Sequence, residues 1–135
     1  MIALDSSVLL DILIGDPVYA EASEQCIADA LAREDVVVSD AVIAEVQAML
    51  DTSVNLMDTL NSLGIRHLPT QEAAAMRAGH MNKRFRARGG KRERVVADFL
   101  IGAHALLQCD GLITRDEDFF HDYYKGLKVV VPRPS

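Results

Sequence analysis

Short apolar runs alternate with segments of helical spacing throughout this chain of 135 residues. The runs are MIAL at 1–4, VVV at 36–38, IRHL at 65–68, LIT at 112–114 and KVVV at 128–131. The segments with apolar residues at helical spacing are 8–14, 18–35, 41–50, 53–63, 70–88 and 95–108. Five short strands separated by helices predict a parallel sheet covered on both faces, which is the doubly wound α/β class.

Length and composition limit the kind of protein. The chain is long enough for one core and short for two, so we expect a single domain over 1–135. Half of the residues are hydrophobic and only 5% are aromatic, which predicts a globular protein with an aliphatic core. No apolar run approaches the roughly 20 residues of a membrane span, and Asp5 interrupts the start where a secretory signal would be apolar. We therefore expect a cytoplasmic protein without membrane contact.

The two cysteines do not suggest a metal site or a disulfide framework. Cys26 and Cys109 are far apart and belong to no CxxC pair. We interpret both as buried thiols.

Four acidic residues take unusual places in the alternating pattern. They are Asp5, Glu45, Asp98 and Asp116. Asp5 ends the first strand, where it either caps the next helix or belongs to a site, since ligand-binding groups gather at the carboxyl ends of parallel strands. Asp116 follows the LIT run in the same way.

Glu45 and Asp98 lie inside apolar helices, in AVIAEVQAML and VVADFLIGAHALLQ. A buried carboxylate there needs a partner, which is either a distant arginine or a shared site. Because strand ends and the following helix starts converge at one sheet edge, the four carboxylates could share one cleft. Converging carboxylates repel each other unless a cation neutralises them.

The kinds of ligand favour a hard cation. Carboxylate oxygens suit Mg²⁺ or Mn²⁺, whereas the four histidines are scattered and supply no zinc set. His104 is interpreted as an interior histidine. A Mg²⁺ ion held by carboxylates can activate water and stabilise charge on a phosphate, which fits phosphodiester hydrolysis.

The segment KRFRARGGKRER at 83–94 carries a local charge of +6 in a chain of net charge −6. Its basic residues are Lys83, Arg84, Arg86, Arg88, Lys91, Arg92 and Arg94. Seven basic residues exceed what a helix end needs for its dipole, so we interpret this basic strip as a surface that attracts phosphate groups. Phe85 within it either stacks on a base or packs against the core.

Four pieces of the chain, in order and spacing, resemble the PIN-domain ribonucleases and more narrowly the VapC toxins. The pieces are ALDSSVLLDIL, VSDAVIAEV, ADFLIGAHALL and LITRDEDFF. The resemblance implies a three-layer α/β/α sandwich with a parallel sheet of about five short strands. It also assigns the family's catalytic, metal-binding acids to Asp5, Glu45, Asp98 and Asp116.

The resemblance gives supporting, hydrogen-bonding roles to Ser7 and Thr114, although Ser7 stands where the family often has asparagine. Asp118 is an alternative fourth acid beside Asp116. Asp11 and Asp40 are interpreted as surface or capping residues.

The resemblance further implies an endoribonuclease that depends on Mg²⁺ or Mn²⁺, forms a homodimer and is held inactive by a cognate antitoxin. Two alternatives remain open: a housekeeping PIN nuclease without antitoxin, and a non-catalytic RNA-binding PIN domain. An unrelated phosphotransfer protein with Asp5 as nucleophile is disfavoured, since the sequence has no GxGxxG or GxxxxGK loop.

Overall fold

A computed structural model describes residues 1–90 and 96–135, which form five strands and seven helices. The strands are β1 (Ile2–Leu4), β2 (Val36–Val38), β3 (Arg66–His67), β4 (Gly111–Ile113) and β5 (Val129–Val130). The helices are α1 (Ser6–Ile14), α2 (Ala20–Leu31), α3 (Asp40–Met49), α4 (Leu56–Ser62), α5 (Glu72–Ala87), α6 (Val96–Gln108) and α7 (Glu117–Tyr123). Three residues of the predicted basic strip, Lys91, Arg92 and Arg94, lie outside the described ranges.

The strands form one parallel sheet in the order β3-β2-β1-β4-β5. Ile2 is paired with Val36 on one side of β1 and with Gly111 on the other. The central strands are buried along their whole length, because helices cover both faces of the sheet. The predicted three-layer α/β/α architecture with five short parallel strands is confirmed.

Several helix boundaries differ from the sequence prediction. The segment from Thr70 was expected to begin a helix, but α5 begins at Glu72. The segment 18–35 was expected to be helical, but α2 covers only Ala20–Leu31. The Asp16 carboxylate instead accepts hydrogen bonds from the N–H groups of Val18 and Tyr19, which holds residues 17–19 in a turn.

Helix α7 was not predicted as an element. It is only seven residues long, and its sequence EDFFHDY has too few turns to establish a helical period. Its apolar residues Phe119 and Phe120 are buried, so tertiary packing rather than local pattern stabilises it.

An aromatic cluster joins α5, α6 and α7. Phe99 of α6 is surrounded by Phe85, Phe119 and Tyr123, with ring centroids 5.2–5.7 Å apart. These separations are typical of favourable edge-to-face and tilted contacts between rings. Phe85 is half-buried and packs against the core, as the second of the two interpretations predicts.

Tyr124 follows α7 and closes this cluster against α6. Its hydroxyl donates a 2.6 Å hydrogen bond to the carbonyl oxygen of Phe99, and its ring lies against Gly102. A Cβ atom at position 102 would overlap this buried ring. The close approach of α6 to Tyr124 thus requires glycine.

No helix in the described ranges is long and apolar enough to cross a membrane.

We predict that Gly102→Ala lowers the free energy of unfolding by about 1–3 kcal/mol, because the added methyl group overpacks the Tyr124 ring. The matched control is Gly79→Ala in α5, where an added Cβ meets nothing within 4 Å. That change should raise the free energy of unfolding by up to about 1 kcal/mol through helix propensity alone. Urea unfolding measures both. If both substitutions raised the free energy of unfolding equally, the tight contact between α6 and Tyr124 would be contradicted.

Candidate active site

The candidate site lies at the carboxyl ends of β1 and β4, where the strand order reverses. From β1 the chain continues to β2 on one side of the sheet, whereas β4 lies on the other side. The backbone N–H of Asp5 donates to the carbonyl oxygen of Ile113 at 2.9 Å, which joins the two strand ends. Open α/β sheets bind ligands at this kind of topological switch point.

Asp5 is the most buried of the four predicted acids, with 7% of its surface exposed. Its carboxylate accepts hydrogen bonds from the backbone N–H of Ser6 at 2.8 Å, Ser7 Oγ at 3.2 Å and Thr114 Oγ1 at 2.5 Å. The bond from Ser6 caps α1, so Asp5 caps this helix and also lies at the switch point. Ser7 and Thr114 both contact Asp5, as the resemblance implied for supporting residues.

Burial raises the pKa of Asp5 to about 6, even though the three hydrogen bonds favour its charged form. The negative charge of Asp98, in the first turn of α6, adds to this increase. Asp98 therefore lies within electrostatic reach of Asp5. Such a shift is typical of carboxylates at functional sites.

Glu45 of α3 reaches the same edge through a residue that was not predicted. Ser6 Oγ donates a 2.6 Å hydrogen bond to Glu45 Oε1. Ser6 is buried beside Asp5, so α1 and α3 are linked at the site. The pair of serines after Asp5 was the available signal, but only Ser7 was singled out.

Asp116 is positioned by Thr114. Its backbone N–H donates to Thr114 Oγ1 at 3.0 Å, and the same hydroxyl donates to Asp5. Asp116 is the N-terminal flanking residue of α7, and Asp118 lies exposed in the first turn of that helix.

The four predicted acids thus lie around one edge, but they do not form a closed metal centre. In residues 1–90 and 96–135, no three His, Cys, Asp or Glu side chains are grouped so that they could hold a metal ion. Mutual repulsion keeps like charges apart when no cation lies between them. The donor set nevertheless fits Mg²⁺ or Mn²⁺, because it is oxygen-only and includes a buried carboxylate whose pKa is raised.

The interpretation of Asp11 as a surface or capping residue is wrong. Its side chain is 3% exposed, and its Oδ1 lies 3.0 Å from an Arg115 guanidinium nitrogen. Ser23 Oγ donates to its other oxygen at 2.8 Å. The Asp11–Arg115 pair was missed because nothing in local spacing connects α1 with the residue after Thr114.

Asp40 agrees with the interpretation as a surface residue. It is exposed at the start of α3, and its Oδ1 lies 2.6 Å from His67 Nε2. Thr70 donates its backbone N–H to the same carboxylate. The neighbouring Ser39 caps the helix by accepting from the N–H of Val42.

His104 lies in the interior, as predicted, but it is only partly satisfied. Nε2 lies 2.9 Å from the carbonyl oxygen of Leu68, whereas Nδ1 has no hydrogen-bond partner in the described part of the chain. Burial lowers the pKa of His104 and favours the neutral ring. Cys26 and Cys109 are free thiols and half-buried rather than fully buried.

The described residues of the basic strip are exposed at the end of α5. They are Lys83, Arg84, Arg86 and Arg88. The strip lies beside the start of α6, since Phe85 packs 5.5 Å from Phe99, the neighbour of Asp98. The Arg88 guanidinium lies 5.7 Å from the centre of the Tyr123 ring. Cations therefore flank the helix that carries Asp98.

We predict that metal-free wild type loses stability relative to Asp5→Asn as the pH rises from 4 to 7. The pKa of Asp5 is about 6 in the folded state and 3.8 in the reference state, so the folded chain binds more protons between these values. Stability then falls with rising pH, by about 3 kcal/mol for this group. Urea unfolding in EDTA at each pH measures the difference between the two proteins. Parallel pH profiles would contradict a buried, ionisable Asp5.

Known proteins with the same fold were found by comparison of both sequence and structure. The family model described as PIN domain matches residues 2–126. The chain is similar to VapBC2 from Rickettsia felis bound to a DNA fragment from their promoter, with 15% identity and a TM-score of 0.72 over 97% of this chain and 98% of that one. It is similar to FitAcB from Neisseria gonorrhoeae, with 25% identity and a TM-score of 0.65 over 98% of both chains.

A third similar structure is the Mycobacterium tuberculosis toxin VapC20, described as cleaving the sarcin-ricin loop. It is 15% identical, with a TM-score of 0.66 over 95% of this chain and 99% of that one. Comparison with curated proteins gives no match. The family model covers nearly the whole chain, and the three solved structures share its fold. The chain belongs to the PIN-domain family.

Proposed function

We propose that this PIN domain is an endoribonuclease that depends on Mg²⁺ or Mn²⁺ and hydrolyses RNA phosphodiester bonds. The observation that carries the proposal is the buried Asp5 carboxylate at the switch point, bonded to Thr114 and repelled by Asp98. A buried carboxylate whose pKa is raised beside a second carboxylate is typical of a site that binds a cation.

Asp5, Glu45, Asp98 and Asp116 are the residues proposed to hold the ion. When bound, a divalent ion of this kind activates water and neutralises charge that develops on a phosphate. The hydroxyl of Thr114 fixes the orientation of Asp5, because it donates to the carboxylate and accepts from the N–H of Asp116. Ser6 holds Glu45 toward the same edge. These hydroxyls keep the carboxylates ordered before an ion arrives.

The basic strip is proposed to hold the RNA backbone. Arg84, Arg86 and Arg88 are exposed beside the start of α6, so bound phosphates would lie near Asp98. Contacts to phosphate position a nucleic acid without reading its sequence. Lys91, Arg92 and Arg94 continue the strip in the sequence.

We also propose that the nuclease is the toxin of a toxin–antitoxin pair in the cytoplasm, with a cognate antitoxin and a homodimeric state. Support comes from its neighbours in structure, which include a VapBC assembly on promoter DNA and a toxin that cleaves the sarcin-ricin loop. A housekeeping PIN nuclease would have the same carboxylates. A non-catalytic RNA-binding PIN domain is the other candidate, favoured by the lack of a closed metal centre in the described residues.

We predict that purified protein cleaves labelled RNA in Mg²⁺, that excess EDTA abolishes cleavage, and that Asp98→Asn lowers the rate by about a hundredfold or more. Calorimetry with Mn²⁺ should show weaker binding to Asp98→Asn, since one anionic ligand is lost. The matched control is Asp58→Asn, which removes an exposed helical carboxylate of α4. That control should keep wild-type cleavage and Mn²⁺ binding.

Measuring RNA binding in metal-free buffer distinguishes the role of the basic strip from that of the proposed metal-binding acids. Changing Arg84 and Arg86 to Ala should weaken binding and flatten its salt dependence, whereas Asp98→Asn should not weaken it. Full cleavage in EDTA would contradict the metal mechanism. RNA binding without cleavage in any divalent metal would favour the non-catalytic alternative.

We predict that expression of the free protein arrests bacterial growth and that Asp5→Asn abolishes the arrest, because unregulated cleavage removes RNA faster than it is replaced. Growth curves measure the effect, and circular dichroism checks that the variant is folded. Asp58→Asn should arrest growth like wild type. Arrest by a folded Asp5→Asn variant would contradict the catalytic role of Asp5. An active nuclease that leaves growth unchanged would favour the housekeeping alternative.

A further inference from the structure

A cavity of about 470 Å³ opens beside Asp116. The chemistry of its wall is set by Tyr19, Arg115, Glu117, Asp118 and Arg133. Its size is within the range of small-molecule pockets. The mechanism proposed above uses none of these five side chains.

Arg115 is the fixed element of this cavity. Its guanidinium lies 4.0 Å from the centre of the Tyr19 ring and 3.0 Å from Asp11 Oδ1. Asp11 is 3% exposed and is held in turn by the hydroxyl of Ser23. A buried ion pair with a further hydrogen bond fixes the guanidinium plane, yet the Arg115 side chain remains 34% exposed. The result is a rigid, flat cation supported by an aromatic ring.

A flat, pre-oriented guanidinium is a stacking surface for a nucleic acid base. Unpaired RNA bases stack on aromatic rings and on arginine planes, and a plane fixed in advance loses little entropy on binding. A phosphate fits the cavity poorly, because the carboxylates of Asp116, Glu117 and Asp118 line it. The wall therefore favours a neutral, planar ligand over an anion.

The carboxylates also select among bases. A carboxylate accepts two parallel N–H bonds, and guanine alone presents two adjacent donors, N1–H and N2–H, on its Watson–Crick edge. Asp118 is exposed, and Glu117 lies in a long ion pair of 3.8 Å with Arg133. Both can therefore accept from a bound base.

We propose that this cavity binds an unpaired guanine of the RNA substrate, stacked on Arg115 and bonded at its Watson–Crick edge to the carboxylates of α7. The base lies beside the cleavage site, because Arg115 is between Thr114 and Asp116 and its backbone N–H donates to Ser7 Oγ at 3.4 Å. The role in substrate selection rests on the proposed ribonuclease function. The base-binding site itself does not require catalysis.

The site is tested with GMP, AMP, CMP and UMP titrated separately into the full chain in EDTA, with inorganic phosphate as a fifth probe. Amide NMR signals report binding without any cleavage. GMP should shift the signals of Tyr19, Arg115 and Asp118 saturably, with a dissociation constant at least about fivefold lower than that of the other nucleotides. Equal affinity for all four nucleotides, or the same shifts with phosphate alone, would overturn the proposal.

Arg115→Lys is the decisive variant. Lysine keeps the charge that balances buried Asp11, so the chain should remain folded, but it lacks the planar guanidinium. GMP affinity should fall roughly tenfold. The matched control is Arg66→Lys, an exposed, ion-paired arginine of β3 at the opposite edge of the sheet from β5, which should keep the wild-type affinity. Unchanged GMP binding by folded Arg115→Lys would overturn the stacking role.

Cleavage products separate this proposal from the ribonuclease proposal. If the protein cuts RNA, guanine should lie next to the cut sites, and Arg115→Lys should raise KM more than it lowers kcat. Cleavage without guanine preference would overturn the guanine site and leave the nuclease intact. GMP binding by a protein that cuts no RNA would overturn the ribonuclease function and leave the base site intact.

Discussion

The hydrogen bond from Thr114 to the buried carboxylate of Asp5 is the contact on which this end of the molecule depends. It joins residues 109 positions apart and connects the ends of two neighbouring strands. Thr114 then orders Asp116, while the serines after Asp5 reach Glu45 and the backbone of Arg115. One ordered network thus includes residues from β1, α1, α3 and the loop after β4.

The buried, charged carboxylate of Asp5 lowers the free energy of unfolding. A carboxylate with a pKa near 6 is charged at neutral pH in surroundings that favour its neutral form. The neighbouring charge of Asp98 increases the cost. Proteins accept such a cost where a site needs the charge, and a bound cation would reverse the sign of the interaction.

Sequence reasoning was most successful where local pattern determines structure. Parallel strands with helical crossovers require apolar runs ending in polar residues, so the strand ends were predicted from the pattern. The supporting roles of Ser7 and Thr114 came only from the family resemblance, and both hydroxyls contact Asp5. The partners of Asp11 were not, because an ion pair between α1 and the loop after β4 depends on the packed fold. Short α7 was missed for the same reason, since its two buried phenylalanines define it through packing. The topology predicted that the four acids lie at one edge of the sheet. The distances between their side chains depend on charge repulsion, which the sequence pattern does not give. In the described residues, no three such side chains are close enough to hold a metal ion.

The strand order also determines when the site can form during synthesis. Strand β1 emerges first, but its neighbour on one side is β4, which begins at Gly111. Until β4 is made, Asp5 lacks Thr114, and one edge of β1 has no partner. At the ribosome's rate of about 5–20 residues per second, several seconds separate the two strands. A growing chain therefore carries an incomplete site until β4 and Thr114 have been made.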